Sequence, residues 1–321
     1  MFWYQKIKFV FLSVALFFSL FGSITDSNSA ESDLKSMKKP PEVIDFNDVA
    51  ETEVSEKNPA PFSPLKVAVA AMISPEYTYK YYLDLIELLG KNMGREVTFV
   101  QKKTYAEVNE MLSHRELDLA FVCSGPYVSG KKEFGLEIIA IPVCNGKKVY
   151  YSYFIASPKS GITSFEELRG KTFAFTDPLS NTGFLVPSYY LAQRSETPES
   201  FFKKTIFTHS HDNSIHAVIN GIADGAAVDS LIYDFISVID PELIEKTVII
   251  EKSSPYGIPP VVVNSSVDEK TKERLRKFFL TVHESPEGKE CLKKLHIDRF
   301  EMGNDADYES VRELEAYLST H

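Results

Sequence analysis

The chain is predicted to be an α/β protein with two lobes around a cleft, and three observations lead to this prediction. Strand-like segments alternate with helix-like segments up to Tyr150, and the same alternation starts again after it. A closing run of helical patterns then follows, at residues 268–281, 286–295 and 307–318. Two α/β units of this kind imply two mixed, mostly parallel sheets flanked by helices, and ligands commonly bind in the cleft between them.

The N-terminus has the pattern of a secretory signal peptide over residues 1–30. Lys6 and Lys8 precede an apolar run at residues 9–21, and small or polar residues follow up to Ala30. The run is shorter than the roughly 20 residues that span a bilayer, so we expect removal and export, with an uncleaved anchor as the alternative. Residues 31–64, which are rich in Glu, Ser, Lys and Pro, are predicted to be a flexible linker or extension.

The folded body is predicted to begin near Pro64 and to change lobes twice. The first unit is too short to be complete before Tyr150, so we expect the chain to cross there into a second lobe and to return near Ser254. Lobe 1 then comprises residues 65–150 and 255–321, and lobe 2 comprises residues 151–254. Two crossings make a hinge.

Periodicity and turn residues indicate the individual elements. In the first unit they predict strands at 65–72, 97–101 and 118–123, helices at 79–91 and 105–115, and a turn at 124–127. In the second they predict strands at 151–156, 172–175, 205–208, 225–228 and 248–250, with helices between them.

Charge and cysteine content exclude several classes of function. The net charge of −10 disfavours binding to nucleic acid. The cysteines number three, which permits at most one bridge within an exported chain, and Cys123 with Cys144 is the candidate pair. Neither the isolated cysteines nor the seven histidines show zinc-type spacing, so we expect no metal and no cofactor.

The stretch TDPLSNTGFLVP, residues 176–187, predicts an anion-binding site. It joins a strand to a helix, and Pro187 is tolerated only in the first turn, so the helix should start near residues 180–182. A helix start leaves about four backbone N–H groups unpaired, and Ser180, Asn181 and Thr182 add side-chain donors around them. Phosphate-like oxyanions suit such donors. The alternative is that Ser180 or Thr182 only caps the helix.

Four segments carry a resemblance to a known family: residues 103–106 (KTYA), 149–152 (VYYS), 180–187 (SNTGFLVP) and 211–212 (HD). With these, residues 65–300 resemble the phosphate/phosphite/phosphonate-binding proteins of ABC transporters. The resemblance implies the two-lobed, type 2 periplasmic-binding-protein fold. It also implies a protein of the periplasm or extracytoplasmic space that closes on its ligand and delivers it to a membrane permease, without catalysis.

The resemblance also assigns candidate ligand-binding residues. The anion cradle falls on Ser180, Asn181 and Thr182, with an amide where members of the family often have a hydroxyl. The family's histidine falls on His211, and its aromatic positions on the cleft wall fall on Tyr105 and Tyr150. For each of these three residues the alternative is a purely structural role, since buried histidines and tyrosines most often only pack.

Aminophosphonate binders of the family hold the ligand's ammonium with carboxylates, and this chain departs from that pattern. The segment at 254–260 contains no acid. Asp229 lies near the other position, but it could equally cap a helix or accept a hydrogen bond from a protonated ligand oxygen. We therefore expect phosphate, phosphite or a simple phosphonate as ligand.

Two other classes of function are open to the same residues. A hydrolase would use Ser180 as nucleophile and His211 with Asp212 or Asp229 as base. It is disfavoured because sequence neighbours cannot form a triad and no nucleophile elbow is present. A sensory module docking on a receptor kinase or chemoreceptor would use the same cleft as a transporter component. We favour transport by a monomeric binding protein.

Overall fold

A computed structural model describes residues 63–320. The predicted signal peptide and nearly all of the predicted linker lie outside this range. At its start, Arg95 donates through Nε to the carbonyl oxygen of Ser63 (2.8 Å) and through Nη2 to that of Pro64 (3.1 Å). Within residues 63–320 no helix has the length and apolar character needed to cross a membrane.

Strands and helices alternate along most of the described chain. The strands are β1 (Leu65–Val69), β2 (Val97–Val100), β3 (Leu119–Phe121), β4 (Leu136–Val143), β5 (Val149–Tyr150), β6 (Ser152–Ala156), β7 (Thr172–Phe175), β8 (Lys204–Phe207), β9 (Gly225–Asp229), β10 (Val248–Lys252), β11 (Tyr256–Gly257), β12 (Val261–Asn264) and β13 (Arg299–Glu301). The α-helices are α1 (Pro75–Met93), α2 (Tyr105–Ser113), α3 (Ser124–Phe134), α4 (Val186–Ala192), α5 (Pro198–Phe201), α6 (His211–Ile219), α7 (Ser230–Ile239), α8 (Pro241–Ile244), α9 (Glu269–Thr281), α10 (Pro286–Lys294) and α11 (Glu309–Leu318).

These strands form two mixed sheets, which confirms the predicted fold class. The first has the order β13-β4-β12-β3-β1-β2, in which β1 runs parallel to β2 and β3 while the returning β12 is antiparallel to β3 and β4. The second has the order β10-β6-β9-β7-β8, in which β7 runs parallel to β8 and β9 while β6 is antiparallel to β9 and β10. The first sheet takes its strands from both ends of the described chain, and the second takes them from the middle.

A two-stranded ribbon joins the sheets where the chain crosses between them. Strand β5 pairs antiparallel with β11, placing Tyr150 opposite Tyr256. The chain passes through β5 into the second sheet and returns through β11 to the first. Gly257 is required here by close packing, since a Cβ atom would lie 2.6 Å from the carbonyl oxygen of Asp307.

Two predictions from the sequence are wrong. Residues 124–127 do not form a turn but begin α3, because Gly125 and Pro126 occupy the first helical turn, where a missing N–H costs no hydrogen bond. Cys123 and Cys144 do not form a disulfide, and all three cysteines of the described chain are free. The thiol of Cys123 instead contacts the hydroxyl of Tyr150 (3.6 Å), while Cys144 lines an apolar cavity.

Candidate functional site

The predicted anion-binding stretch lies at the end of β7 and forms a tight turn. Asp177 Oδ1 accepts a hydrogen bond from Leu179 N (2.9 Å), and the Asp177 carbonyl accepts one from Ser180 N (2.8 Å). A single π-helical turn, Asn181–Leu185, follows and continues into α4. Ser180 Oγ accepts a hydrogen bond from Gly183 N (3.0 Å). Ser180 therefore caps the helix, as the alternative interpretation predicted. Its own hydroxyl hydrogen is still available as a donor.

The wide first turn leads directly to Pro187. The π turn has N–H groups that bond five residues back, as Leu185 N does to Ser180 O (3.0 Å). Pro187 has no N–H to give to Thr182 O, and Ser152 Oγ donates to that carbonyl instead (2.7 Å). A serine from β6 in the neighbouring part of the sheet therefore holds the cradle in place.

His211 is the first residue of α6, and its hydrogen bonds fix which ring nitrogen carries hydrogen. Nδ1 accepts the backbone N–H of Asp229 (3.0 Å), so the neutral ring carries its hydrogen on Nε2. Nε2 lies 3.4 Å from Ser180 Oγ, and Thr176 Oγ1 lies 3.0 Å from Nδ1. Burial lowers the pKa of His211 to about 3, so the ring is a neutral donor at physiological pH.

Tyr105 and Tyr150 bring phenol groups to the same region. Asn181 Nδ2 donates to the Tyr150 hydroxyl (3.1 Å). The Tyr105 hydroxyl forms no well-aligned hydrogen bond, although the Ser180 hydroxyl is near enough to oppose slightly the rise in its pKa. Burial raises the pKa of both tyrosines well above the usual value, so both keep their hydrogens.

Three buried polar atoms of the predicted residues lack a hydrogen-bond partner within the described chain: Tyr105 OH, Asn181 Oδ1 and Thr182 Oγ1. Their residues are completely buried, and buried polar groups are nearly always paired in native proteins. The structure thus brings Ser180, His211 and Tyr105 together and links Asn181 to Tyr150. We call these five residues together with Thr182 the anion cluster.

Asp229 adjoins the cluster through its backbone and also caps a helix. It ends β9, and its Oδ1 accepts from Leu231 N (2.7 Å) at the start of α7. Burial raises the pKa of this carboxyl to about 7. Beyond it lies a cavity of about 80 Å³, here called the apolar cavity, whose walls include Met72, Tyr82, Phe121, Val122, Leu231 and Pro260.

The two lobes touch directly beside the cluster. Ser74 N, at the start of α1, donates to Asp212 Oδ1 (2.9 Å), and Tyr105 N, at the start of α2, donates to Asp177 Oδ2 (3.1 Å). Gly125 packs so closely that a Cβ atom would lie 2.2 Å from the Leu179 carbonyl oxygen. Aspartates of the second lobe therefore bind N–H groups at two helix starts of the first.

The hydrogen bonds of His211 do not suit nucleophilic catalysis. A general base must accept the serine proton on Nε2, which requires the hydrogen to sit on Nδ1 facing a carboxylate. Here Nδ1 receives a backbone N–H from Asp229, and Asp212 is bonded to Ser74 instead. No cluster of three or more metal-binding side chains occurs in residues 63–320.

Several residues that position the cluster through hydrogen bonds and contacts were not predicted from the sequence. Ser152 bonds the Thr182 carbonyl, Asp177 bonds the start of α2, and Cys123 contacts Tyr150. Thr176 lies 3.0 Å from His211 Nδ1. Thr176 and Asp177 belong to the stretch singled out above, so their position beside the cradle was the available signal. Ser152 belongs to the segment 149–152 and Cys123 is predicted only as a disulfide partner, and only the fold shows which groups they contact.

The two-lobed fold with buried donors where the lobes meet defines the class of type 2 periplasmic binding proteins. The chain belongs to one family of this class, since the model of the periplasmic substrate-binding proteins of phosphonate ABC transporters matches residues 67–308.

Individual relatives fit this assignment. The phosphonates-binding periplasmic protein of Escherichia coli (strain K12) is 26% identical over 247 residues, which cover 75% of this chain and 71% of that protein. The phosphate-import protein PhnD of Mycolicibacterium smegmatis is 34% identical over 165 residues, covering 47% of this chain and 50% of that protein. PhnD1 of Prochlorococcus marinus, solved in complex with methylphosphonate, shares the fold with a TM-score of 0.74 at 20% identity, covering 82% of this chain and all of that one.

Proposed function

We propose that this protein captures a phosphorus oxyanion, namely phosphate, phosphite or a simple phosphonate, on the anion cluster and delivers it to an ABC permease. The observation that carries the proposal is the buried hydroxyls of Tyr105 and Thr182, which have no partner among the described residues, together with the contact between Ser180 and His211. A ligand rich in oxygen acceptors would satisfy these donors.

The strength of such a site follows from its donors. Ser180, Thr182, Tyr105, Tyr150 and the Nε2–H of His211 are all neutral, and none is a lysine or arginine. Each hydrogen bond to an ionised oxygen contributes roughly 1.5–3 kcal/mol net, so four or five reach the roughly 8 kcal/mol of micromolar affinity after the cost of association. Neutral donors also suit a partly protonated oxyanion better than a fully ionised one.

Asp229 limits the range of suitable ligands further. Its carboxyl titrates near neutral pH, so it can give a hydrogen to a ligand oxygen or accept one from a P–OH group. Segment 254–260 adds no acid that could pair with an ammonium. Oxyanions without an amino group are therefore the preferred ligands.

Capture takes place by closure about the β5–β11 ribbon. In this proposal residues 65–150 and 255–321 move as one lobe and residues 151–254 as the other. The signal peptide exports the chain to the periplasm, where it acts as a monomer without a cofactor or nucleic acid. A sensor would share this cleft, so uptake of the ligand by cells with and without the protein separates transport from sensing.

Two substitutions of His211 test the binding site. Titration calorimetry of the purified protein should give micromolar or tighter dissociation constants for phosphate, phosphite or methylphosphonate. His211→Asn keeps an acceptor where Nδ1 receives Asp229 N–H but removes the Nε2 donor, so we expect at least tenfold weaker binding. His211→Gln keeps a donor near Nε2 and should bind more tightly than His211→Asn. Tight binding of 2-aminoethylphosphonate alone would overturn the choice of ligand, and no binding of any oxyanion would overturn the function.

A further inference from the structure

The apolar cavity adjoins the anion cluster along three segments of the chain. Met72, in its wall, accepts the backbone N–H of His211 (3.0 Å). Val122, in another wall, precedes Cys123, whose thiol contacts Tyr150. Asp229 belongs to both, since its backbone N–H bonds His211 and its side chain lines the cavity. The cavity therefore lies next to the cluster.

The walls of the cavity suit an uncharged, apolar group. Asp229 is the only charged residue type among the lining residues, and its carboxyl bonds the N–H of Leu231 in its own helix. Tyr82 and Cys144 also line it, and burial raises the pKa of both, to about 12 for Cys144, so neither carries charge. An ammonium here would lose its water among mostly apolar walls, and only the Asp229 carboxyl, which already accepts from Leu231 N, could compensate, so its burial is costly.

The size of the cavity sets the size of the group. One water needs about 10–15 Å³ measured in this way, so the cavity of about 80 Å³ has room for several waters or for a group of a few carbon atoms. A bare methyl group would leave most of it unfilled. Each buried methylene contributes about 0.8 kcal/mol, which is about fourfold in affinity.

We propose that the apolar cavity receives the uncharged alkyl or aryl substituent of a phosphonate whose oxygens lie on the anion cluster, which makes the protein selective for hydrocarbon-substituted phosphonates. This inference rests on the proposed oxyanion function and extends it to the part of the ligand that carries no charge.

A homologous series tests the inference in the intact protein. Dissociation constants are measured by calorimetry for phosphite and for methyl-, ethyl-, propyl- and butylphosphonate. We expect affinity to rise about fourfold with each methylene until the cavity is full. Propylphosphonate and 2-aminoethylphosphonate have the same number of heavy atoms, and we expect at least tenfold tighter binding of the propyl compound.

Changes at Leu231 locate the effect in the cavity. Leu231→Phe fills it and should abolish the gain with chain length while leaving the dissociation constant for phosphite within about twofold. Leu231→Ala widens it and should move the optimum to longer chains. Val238→Phe, on the exposed side of the same helix (60% exposed), is the matched control and should leave the series unchanged. Thermal melting identifies any variant that fails to fold.

The possible outcomes test the cavity and the proposed oxyanion binding separately. Binding of phosphite with a flat series, or equal affinity for the propyl and aminoethyl compounds, overturns the inference and leaves the oxyanion function standing. Failure of every ligand, phosphite included, overturns both.

Discussion

The two lobes contribute to the anion cluster in different ways. In the second lobe, Ser180 and His211 are held by neighbours of their own lobe, through Gly183 N and Asp229 N. In the first lobe, the Tyr105 hydroxyl has no partner within the described chain, and Tyr150 receives its hydrogen bond from Asn181 across the cleft. The donors of the second lobe are therefore held by contacts within that lobe, whereas those of the first lobe are not. Preorganisation of this kind lowers the cost of binding.

The second lobe also contains buried ionisable groups. Removal of the carboxyl of Asp229 should change the free energy of unfolding more than any other substitution proposed here. Asp229 has a pKa raised from 3.8 to about 7, so it favours folding while protonated, and that contribution is lost as pH rises from about 4 to 7. Asp229→Asn should match the wild type near pH 4 and exceed its free energy of unfolding by up to about 4 kcal/mol above pH 7. Urea unfolding at several pH values measures this difference.

Two features of the chain check that prediction. His211 has a pKa lowered to about 3, so both proteins lose stability as pH falls from 6.5, and only the difference between them isolates Asp229. Asp268→Asn is the control at an exposed helix cap whose pKa is lowered, and it should show a smaller effect of opposite sign. A difference that does not change with pH would mean that Asp229 is not buried as described.

Removal of the cradle hydroxyls should have the next largest effect, which is on ligand affinity. It tests whether the donors of the second lobe contribute more to binding than those of the first. Ser180→Ala combined with Thr182→Ala removes two donors from the organised lobe, so we expect binding at least tenfold weaker with folding intact. Ser188→Ala is the control and should bind normally. Ser188 is a buried serine further along α4, and its Oγ has no hydrogen-bond partner within the described chain. An unchanged dissociation constant in the double variant would refute the cradle.

Tyr105→Phe should have the smallest effect on binding, because it removes one donor where the double cradle variant removes two. Loss of one hydrogen bond to an ionised oxygen corresponds to about 1.5–3 kcal/mol, or roughly 10- to 150-fold, which is half of the free energy lost with the two donors of the double variant, and we expect it mainly in the dissociation rate. Stopped-flow fluorescence measures the two rates. Tyr127→Phe, which loses a hydrogen bond to Asp305 away from the cluster, should leave both rates unchanged. A larger loss for Tyr105→Phe than for the double cradle variant would reverse the comparison.

Local patterns predicted the framework well. Alternation gave β7 at Thr172–Phe175, and helical spacing gave α9, α10 and α11 to within two residues. Helix α3 was missed because Gly125 and Pro126 are typical of turns as well as of first helical turns. Strand β4 was missed because it is mostly buried and its apolar residues run without alternation.

Some features of the site also follow from adjacent residues, whereas others depend on contacts between residues far apart in the sequence. The TDPLSNTGFLVP stretch carries its turn and donors in adjacent residues, so the sequence could indicate them. The cap interpretation of Ser180 is confirmed, since its oxygen accepts from Gly183 N, and its role as an anion donor stays a prediction. The ring hydrogen of His211 depends on a backbone group 18 residues away, and the apolar cavity joins residues as distant as Met72 and Phe300. Such contacts exist only after folding.

The aspartates that reach across the cleft bear on how the lobes move. Asp177 and Asp212 bond N–H groups of the first lobe when the lobes meet, and water would take both places when they part. The exchange is close to balanced, because one set of hydrogen bonds replaces another. Open and closed forms should then lie within a few kcal/mol of each other, and a ligand that adds only the bonds to Tyr105 and Tyr150 is enough to shift the population towards closure.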